Sequence, residues 1–225
     1  AIFVTLIYGI LRFANFATGD MMSFGTMFVI LFTWFFQSKG ITLGILPTAL
    51  IALPIGIIIM IFYMLLIDKF VFRYYRIKKS PPVVLAMVSI GVMFVTQAIV
   101  RIIIGPFDRR FFDGEKFILK ATEFKEITGL NEGLTIKSTQ VLTLIVTIIV
   151  AIILFWFLNR TKTGKSMKAY SDNEDLALLS GIDPKKVVLI TWIIAGILAT
   201  VGGALYGLDK SYKPFTYSHN MFPLL

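Results

Sequence analysis

One short segment of the sequence resembles part of a nucleotide-binding motif. Residues 163–166 read Thr-Gly-Lys-Ser, like the end of a P-loop, in which backbone N–H groups and a lysine hold phosphates. The full motif needs a glycine five positions before Gly164, where this chain has Asn159, and a preceding β-strand, where it has an apolar run. The segment is therefore not expected to bind a nucleotide.

Residues that ligate metals or act as nucleophiles are scarce in this chain. It has no cysteine and a single histidine, His219. A disulfide, a thiol nucleophile and a metal site built from cysteines or several histidines are therefore excluded. An intramembrane enzyme would need a nucleophile beside a base, so we expect neither an enzyme nor a bound cofactor.

The elements around these residues have the composition of a membrane protein. Hydrophobic residues make up 57% of the 225, aromatic residues 14%, and the mean hydropathy is +0.83, whereas soluble domains are about 45–50% apolar. The net charge is +9, but the basic residues cluster beside apolar runs, as they do when they set membrane orientation. We predict an integral membrane protein in contact with lipid and with no nucleic-acid partner.

The apolar runs predict an all-α, polytopic protein with one partial and five complete spans. Because the chain begins inside one run and ends where another starts, we expect a fragment, with a single transmembrane domain over residues 1–225 truncated at both ends. The predicted spans cover residues 1–11 (partial), 21–36, 44–67, 83–104, 139–158 and 187–208.

The first apolar run, residues 1–36, is too long for one crossing. At about 1.5 Å per residue it would form a helix of roughly 54 Å, whereas the hydrocarbon core is about 30 Å thick. Polar residues concentrate at residues 15–20, so we predict that this stretch is not helical.

Two alternatives remain for the position of this break. It could be a cytoplasmic turn, or it could lie at membrane depth, where Asn15, Thr18 and Gly19 would line a translocation path. The turn is slightly favoured because Arg12 and Asp20 are costly deep in lipid.

The distribution of basic residues predicts which side of the membrane each loop faces. The loop at residues 68–82 carries five Lys and Arg, and the loop at 159–186 carries six. Two predicted spans separate these loops, so both lie on one side, and loop 105–138, with six basic and six acidic residues, lies on the other. Since lysine and arginine accumulate on the cytoplasmic side, the two basic loops should be cytoplasmic.

Several positions predict local contacts. Alternating residues at 116–119 and 134–137 could pair as small strands. Four glycines of the last predicted span should permit close contact between membrane helices: Gly196, Gly202, Gly203 and Gly207. Arg101 could contact a substrate, but an arginine near the end of a span more often extends to the membrane interface.

Acidic residues and histidine are missing from the interior of all five complete predicted spans. Proton-driven transporters and intramembrane hydrolases usually carry such groups within the membrane. We therefore do not expect a proton-coupled carrier, and a transport path through this protein would need energy from a separate subunit.

The most polar segment, residues 160–186, predicts a short helix between two spans. Ser171 and Glu174 have the spacing of a capping box at a helix start. Gly181 can adopt the left-handed conformation that ends a helix, and the Asp-Pro pair at 183–184 can start the next one.

This short helix should carry more apolar side chains than it can bury. Its sequence includes Leu176, Ala177, Leu178 and Leu179, and a helix of roughly ten residues in water cannot shield all of them. We expect a partner to dock there. A membrane path without its own energy source and a cytoplasmic docking helix together suggest a permease driven by a separate ATPase.

Taken in order, these features resemble one transporter family. The motif Asn-Phe-Ala-x-Gly at 15–19 before a span, the basic loop with Arg73, and Glu-Asp-x-Ala-x-x-x-Gly-Ile at 174–182 are similar to the LivH-type permeases of branched-chain amino acid ABC importers. The resemblance covers essentially all 225 residues, and the last motif is its most specific part.

The resemblance implies an ABC importer permease domain in the bacterial inner membrane. Its partners would be a sister permease, a periplasmic substrate-binding protein and two cytoplasmic ABC ATPase subunits, which would bind the ATP. The family motif and the leucines together define a predicted ATPase-coupling loop: Gly164, Glu174, Asp175, Leu176, Ala177, Leu179 and Gly181.

The substrates implied are branched-chain or other hydrophobic amino acids. Two departures from the family pattern exist. Thr18 stands where the family often has histidine, and Glu174 lies seven residues before Gly181, one more than in the general ABC permease signature. The first departure leaves a urea or short-chain amide importer as the alternative.

The topology can be tested with reporter fusions. A reporter placed after Lys79 or Lys168 should be active on the cytoplasmic side, because both lysines belong to the basic loops. A reporter after Lys125 should be periplasmic. The reverse pattern of activities would overturn the predicted arrangement of spans.

Overall fold

The computed structural model describes residues 2–41, 46–111, 117–119 and 136–214, and it is almost entirely helical. A two-stranded antiparallel sheet joins β1 (Phe117–Leu119) to β2 (Ile136–Lys137). In chain order the helices are α1 (Ile2–Leu11), α2 (Thr18–Ser38), α3 (Ala49–Ile67), α4 (Arg73–Ile77), α5 (Pro82–Ile104), α6 (Ser138–Arg160), α7 (Lys162–Asp172), α8 (Glu174–Leu179) and α9 (Pro184–Lys210).

Five helices in the described part of the chain are long and apolar enough to cross a membrane: α2, the continuous helix at residues 49–77, α5, α6 and α9. Helix α1 has only ten residues. The all-α polytopic fold expected from composition is thereby confirmed, and the protein is a multi-pass membrane protein.

The core forms where α2, α3 and α9 pack together. Small residues permit the close approach. A Cβ atom on Gly25 of α2 would lie 2.6 Å from Thr200 Oγ1 of α9, and one on Gly56 of α3 would overlap the side chain of Val29. Helices in lipid gain contact energy from such packing, because burial of apolar surface supplies little drive there.

The helix that begins with α3 does not end at the predicted membrane boundary. It passes through a π-helical turn, Asp68–Phe72, and continues as α4 to Ile77. The prediction that residues 68–82 form a loop is therefore wrong over its first ten positions. A contact from a distant helix explains the extension, because Asp68 Oδ1 accepts a hydrogen bond of 2.7 Å from Trp192 Nε1 of α9.

Arg76 of α4 completes this contact. Its Nη2 lies 2.6 Å from the same Asp68 oxygen. The Phe72 ring stacks on Trp192 with the ring centroids 5.5 Å apart. Asp68 thus has two partners near the end of the span. Its ion pair with Arg76 stabilises the helix where it continues past Asp68 toward the polar surface.

At the opposite end of the bundle, the segments after α5 and α9 meet. Arg109 and Tyr212 exchange two backbone hydrogen bonds of 2.8 Å. The pairing of β1 with β2 confirms the predicted strands. The rest of the loop between them, with Lys125, lies outside the described residues, as do His219 and the apolar stretch near Met221.

Helix α9 also approaches α2 closely at Gly203. A Cβ atom there would overlap Thr26 Oγ1 and lie 3.0 Å from the carbonyl oxygen of Met22. The next residue, Gly202, has more room, because its Cβ would meet only the flexible end of Met22 at 3.6 Å. The predicted role of these glycines therefore applies to Gly203 more strongly than to Gly202.

We expect Gly203→Ala to destabilise the protein by about 1–3 kcal/mol, because the extra methyl group pushes α9 away from a rigid backbone. Gly202→Ala is the matched control in the same helix turn and should change stability little. The free energy of unfolding in detergent, measured with both variants, checks this. Equal stabilities for the two would contradict the packing described here.

Candidate functional site

The first candidate site is the break between α1 and α2. Arg12, immediately after α1, has a left-handed backbone with φ of 55°, and its N–H donates to the Tyr8 carbonyl at 2.9 Å. Phe13 and Asn15 are buried among the helices. The chain therefore turns at an exposed arginine and re-enters the bundle before α2 begins.

Side chains satisfy the backbone groups that this break frees. Asn15 Oδ1 accepts a hydrogen bond from the Ala17 N–H at 3.1 Å. The Phe16 N–H donates to Ser89 Oγ of α5 at 3.0 Å, and the Thr18 hydroxyl donates to the Asn15 carbonyl. Ser89 is seven residues into α5, or about 10 Å along its axis, so the break reaches well inside the bundle.

The structure corrects the predicted extent of the break. Residues 12–17 are outside the helices, whereas Thr18, Gly19 and Asp20 form the first turn of α2. The predicted break is thus confirmed, but its second half is helical. Arg12 is exposed at one side of the break, whereas Phe13, Asn15 and Ala17 are buried in the bundle. The choice between a cytoplasmic turn and a break at membrane depth stays a prediction.

Asp20 is a buried acidic residue that was not among the predicted path residues. It is only 1% exposed, and Gln97 Nε2 of α5 donates to its Oδ2 at 3.2 Å. Asp20 was placed just before the predicted span 21–36, whereas α2 begins at Thr18 and includes Asp20 in its first turn. The sequence did offer a signal for Asp20, which is an acidic residue at the edge of an apolar run. An acidic side chain within a membrane is costly, so it is usually present because it has a function.

Asp20 lies beside a narrow polar cleft between α2, α5 and the segment after α9. The positive end of the α2 dipole favours its carboxylate in this position. Ser23, one turn along α2, has its Oγ 2.9 Å from the Tyr212 hydroxyl. Arg101, which was expected to extend to the interface, is exposed and also lines the cleft. The cleft is lined by Asp20, Ser23, Gln97, Val100, Arg101 and Pro214.

The second candidate site is formed by α7 and α8. Helix α7 packs tightly on the end of α6, because a Cβ atom on Gly164 would lie 2.6 Å from Leu158 Cα. The Gly164 N–H donates to Thr161 Oγ1 at 2.9 Å, and this hydrogen bond caps α7. Gly164 therefore holds the corner between the span and the polar segment, and it is buried rather than exposed to a partner.

The predicted capping box at the start of α8 is wrong. The N-cap of α8 is Asn173, whose Oδ1 accepts from the Leu176 N–H at 3.1 Å. Ser171 belongs to α7, and Glu174 accepts a hydrogen bond of 2.7 Å from the Tyr170 hydroxyl. The side chains of Ser171 and Glu174 instead form hydrogen bonds with Gly9 of α1 and Tyr170 of α7.

Tyr170 joins the two short helices. Burial raises the pKa of its hydroxyl, and the hydrogen bond to Glu174 raises this pKa further, whereas the cations Arg76 and Arg12 oppose the shift. The hydroxyl therefore stays protonated at neutral pH and remains a donor to Glu174. This hydrogen bond fixes α8 relative to α7.

Helix α8 exposes three leucines. Leu179 is 85% exposed, Leu176 60% and Leu178 43%, whereas Ala177 faces inward and is buried. Gly181 ends the helix with φ of 78°, as predicted. Asp183 Oδ1 accepts from the Lys185 N–H at 2.9 Å, so the predicted cap of the next helix is also confirmed.

The two candidate sites are in contact. Ser171 Oγ of α7 donates to the carbonyl of Gly9 in α1 at 2.8 Å. Arg12 Nη2 donates to the Ser171 carbonyl at 2.9 Å. The exposed leucines and the break at residues 12–17 are therefore joined through one short set of hydrogen bonds.

The predicted site residues fall into these two groups. The path residues Asn15, Thr18 and Gly19 are all buried around the break. Of the predicted coupling loop, Gly164 and Ala177 are buried and hold the short helices in place. The exposed members are Glu174, Asp175, Leu176, Leu179 and Gly181. Within the described ranges, no group of three or more His, Asp or Glu is placed to hold a metal ion.

Comparison with known proteins gives one family. Residues 1–224 match the family described as the permease component of branched-chain amino acid transport systems. The LivH high-affinity branched-chain amino acid permease of Escherichia coli K12 is 26% identical over 223 residues, which cover 96% of this chain and 68% of that protein.

Two shorter matches are more similar locally. A probable branched-chain amino acid permease of Methanocaldococcus jannaschii is 38% identical over 71 residues, covering 32% of this chain and 22% of that protein. The nucleoside ABC transporter permease NupB of Lactococcus lactis is 33% identical over 95 residues, covering 42% and 26%. No solved structure matches the chain significantly.

Proposed function

Because this chain belongs to the family of permease components of branched-chain amino acid transport systems, we propose that it is the membrane subunit of an ATP-driven importer. It would move branched-chain or other hydrophobic amino acids across a bacterial inner membrane. The observation that carries this proposal is the capped helix α8, which exposes three leucines on the side of the protein where the basic residues cluster.

Energy for import would come from partner subunits. The chain would pair with a sister permease and with two cytoplasmic ATPase subunits, which would bind the ATP, and a periplasmic binding protein would deliver the substrate. The membrane helices would supply the path, so this chain would need no cofactor and catalyse no reaction.

We assign α8 as the ATPase-docking element. Its leucines are exposed although the Asn173 cap and Gly181 fix the helix ends, so the apolar surface is held in a defined shape. A short helix that presents a few apolar anchors suits docking into a groove of a partner protein. The carboxylates of Glu174 and Asp175 lie in the first turn of α8, where the positive end of the helix dipole stabilises them. They would lie at the edge of the contact with the ATPase.

Movement at α8 would be transmitted to the break in the membrane helices. Tyr170 ties α8 to α7, and Ser171 ties α7 to Gly9 and Arg12 at the end of α1. A shift of the short helices as the ATPases close would therefore pull directly on the start of the break.

The translocation path would pass the break and the cleft beside it. Asn15, Thr18 and Gly19 lie where helical hydrogen bonding is interrupted, and freed polar groups at such breaks bind substrates in transporters. Asp20 joins this group, because a buried membrane acid is by default a candidate functional residue.

A urea or short-chain amide importer is the second candidate function. Thr18 stands where the family often has histidine, and its hydroxyl lies at the start of α2 beside the break. A small neutral substrate would fit a path lined by hydroxyl and amide groups, whereas an amino acid offers an ammonium group to Asp20.

Uptake measurements separate these functions and test the path. In bacteria lacking their own leucine uptake, the chain expressed with its neighbouring transport genes should support saturable uptake of radiolabelled leucine and none of urea. Asn15→Leu should lower this uptake about tenfold or more, because the Ala17 N–H loses its partner inside the membrane.

Tyr8→Leu is the control for this variant, since Tyr8 is exposed on α1 and should tolerate the change. Membrane abundance of each variant is measured by immunoblot. Uptake of urea in place of leucine would support the second candidate. Normal leucine uptake by Asn15→Leu would show that Asn15 is not part of the path.

Docking is tested with Leu179→Asp. A charge at an apolar anchor would be desolvated without a partner, which costs several kcal/mol and is enough to disrupt a micromolar complex. The variant should insert normally while the ATPase subunits no longer co-purify with it. Ser180→Asp adds the same charge next to the anchor without removing a leucine, and it should keep most of the ATPase. Retention of the ATPase and of substrate-stimulated hydrolysis by Leu179→Asp would mean that the leucines serve internal packing.

A further inference from the structure

A groove of about 260 Å³ separates α1 from α6 at the end of the bundle that carries α7. Leu6 and Ile10 of α1 face it from one side, and Leu154 and Leu158 of α6 from the other. Met167 of α7 closes its end. The groove is thus an apolar slot with walls from two helices and a floor from a third.

The slot is open along one side. None of the residues of α6 is buried, so this helix stands against the rest of the chain only loosely. Each wall carries its two apolar residues four positions apart, and the slot therefore extends about 6 Å parallel to the helix axes. A linear hydrocarbon chain has the shape and polarity that such a slot accepts.

Cations lie at the closed end of the slot. Lys168 lines it directly, with its Nζ 2.6 Å from Asn159 Oδ1. Lys162 and Lys165 precede Lys168 at spacings of three residues along α7, and all three are exposed. No acidic residue occurs between Arg160 and Ser171, so the charge at the closed end of the slot is the positive charge of Lys168.

We propose that this groove binds one anionic phospholipid, with an acyl chain between α1 and α6 and the phosphate at Lys168. Charge complementarity favours this occupant. The apolar walls end at Lys168, whose partner within the described residues is the neutral amide of Asn159. Basic pockets between membrane helices on the cytoplasmic side bind anionic headgroups. A zwitterionic lipid would fill the slot with less attraction to Lys168.

The lipid would hold α7 against α1 beside the Ser171 contact to Gly9. This position is separate from the exposed leucines of α8 and from the cleft at Asp20. The proposal therefore does not depend on which substrate is transported.

Native mass spectrometry tests the site on the full chain purified into mixed micelles with equal amounts of phosphatidylglycerol and phosphatidylcholine. The wild-type chain should retain one phosphatidylglycerol molecule in preference to phosphatidylcholine. Lys168→Gln should lower this preference about fivefold, since one basic residue near the surface contributes roughly that much attraction. Lys168→Arg keeps the charge and should keep the lipid.

Two further variants separate the slot from general surface charge. Leu154→Trp fills the slot and should abolish retention, whereas Ile153→Trp, at a neighbouring exposed position of α6, should not. Lys186→Gln removes the same charge at the start of α9, away from the slot, and should leave the preference unchanged. Excess glycerol 3-phosphate, which has no acyl chain, should not displace the lipid.

Several results would overturn the proposal. One is equal retention of phosphatidylglycerol by Lys168→Gln and Lys186→Gln, and another is retention of this lipid by Leu154→Trp. Displacement of the lipid by glycerol 3-phosphate would indicate a site for the headgroup alone. Equal binding of phosphatidylcholine would show a non-specific slot. A wild-type mass of two chains without lipid would identify a second copy as the occupant. Melting temperatures of all variants in the same micelles check that each one is folded.

Discussion

Backbone polar groups that are buried away from water must find partners within the protein, and the break between α1 and α2 frees several of them at once. Six residues leave the helical pattern there, and their freed groups are paired by Asn15, Thr18 and the Ser89 hydroxyl of α5. The position of α2 follows from these contacts. So does the depth of Asp20, because its place in the first turn of α2 brings it to Gln97.

Charged residues obey the same constraint at the ends of the spans. Asp68 is held by Trp192 and Arg76, and this pairing carries the helix of α3 ten residues past the apolar stretch. Arg12 is accommodated because α7 presents the Ser171 carbonyl to it. The polar segment after α6 is thus part of the folded unit, since its side chains satisfy groups that the membrane helices leave unpaired.

Local sequence predicted the features that depend on local chemistry. The break in the first apolar run, the small hairpin, the helix end at Gly181 and the cap at Asp183 were all found. The expected partnership of Ser171 with Glu174 gave way to contacts with Gly9 and Tyr170. Asp20 lies in the first turn of α2 rather than before it, where Gln97 of α5 donates to it. Long-range partners thus took over for Ser171 and Asp20, whereas Glu174 found a partner four residues away.

The sequence by itself determined that the chain is a helical membrane protein, where its apolar runs lie and which end is basic, because length, hydropathy and charge are properties of contiguous residues. Family membership is also a property of the sequence, since residues 1–224 match the family. Only the tertiary structure decided which polar groups meet: Phe16 with Ser89, Asp20 with Gln97 and Gly9 with Ser171, pairs separated by 73, 77 and 162 positions. The physical reason is that the cost of an unpaired polar group in lipid selects a partner by position in space, and no periodicity along the chain records that choice.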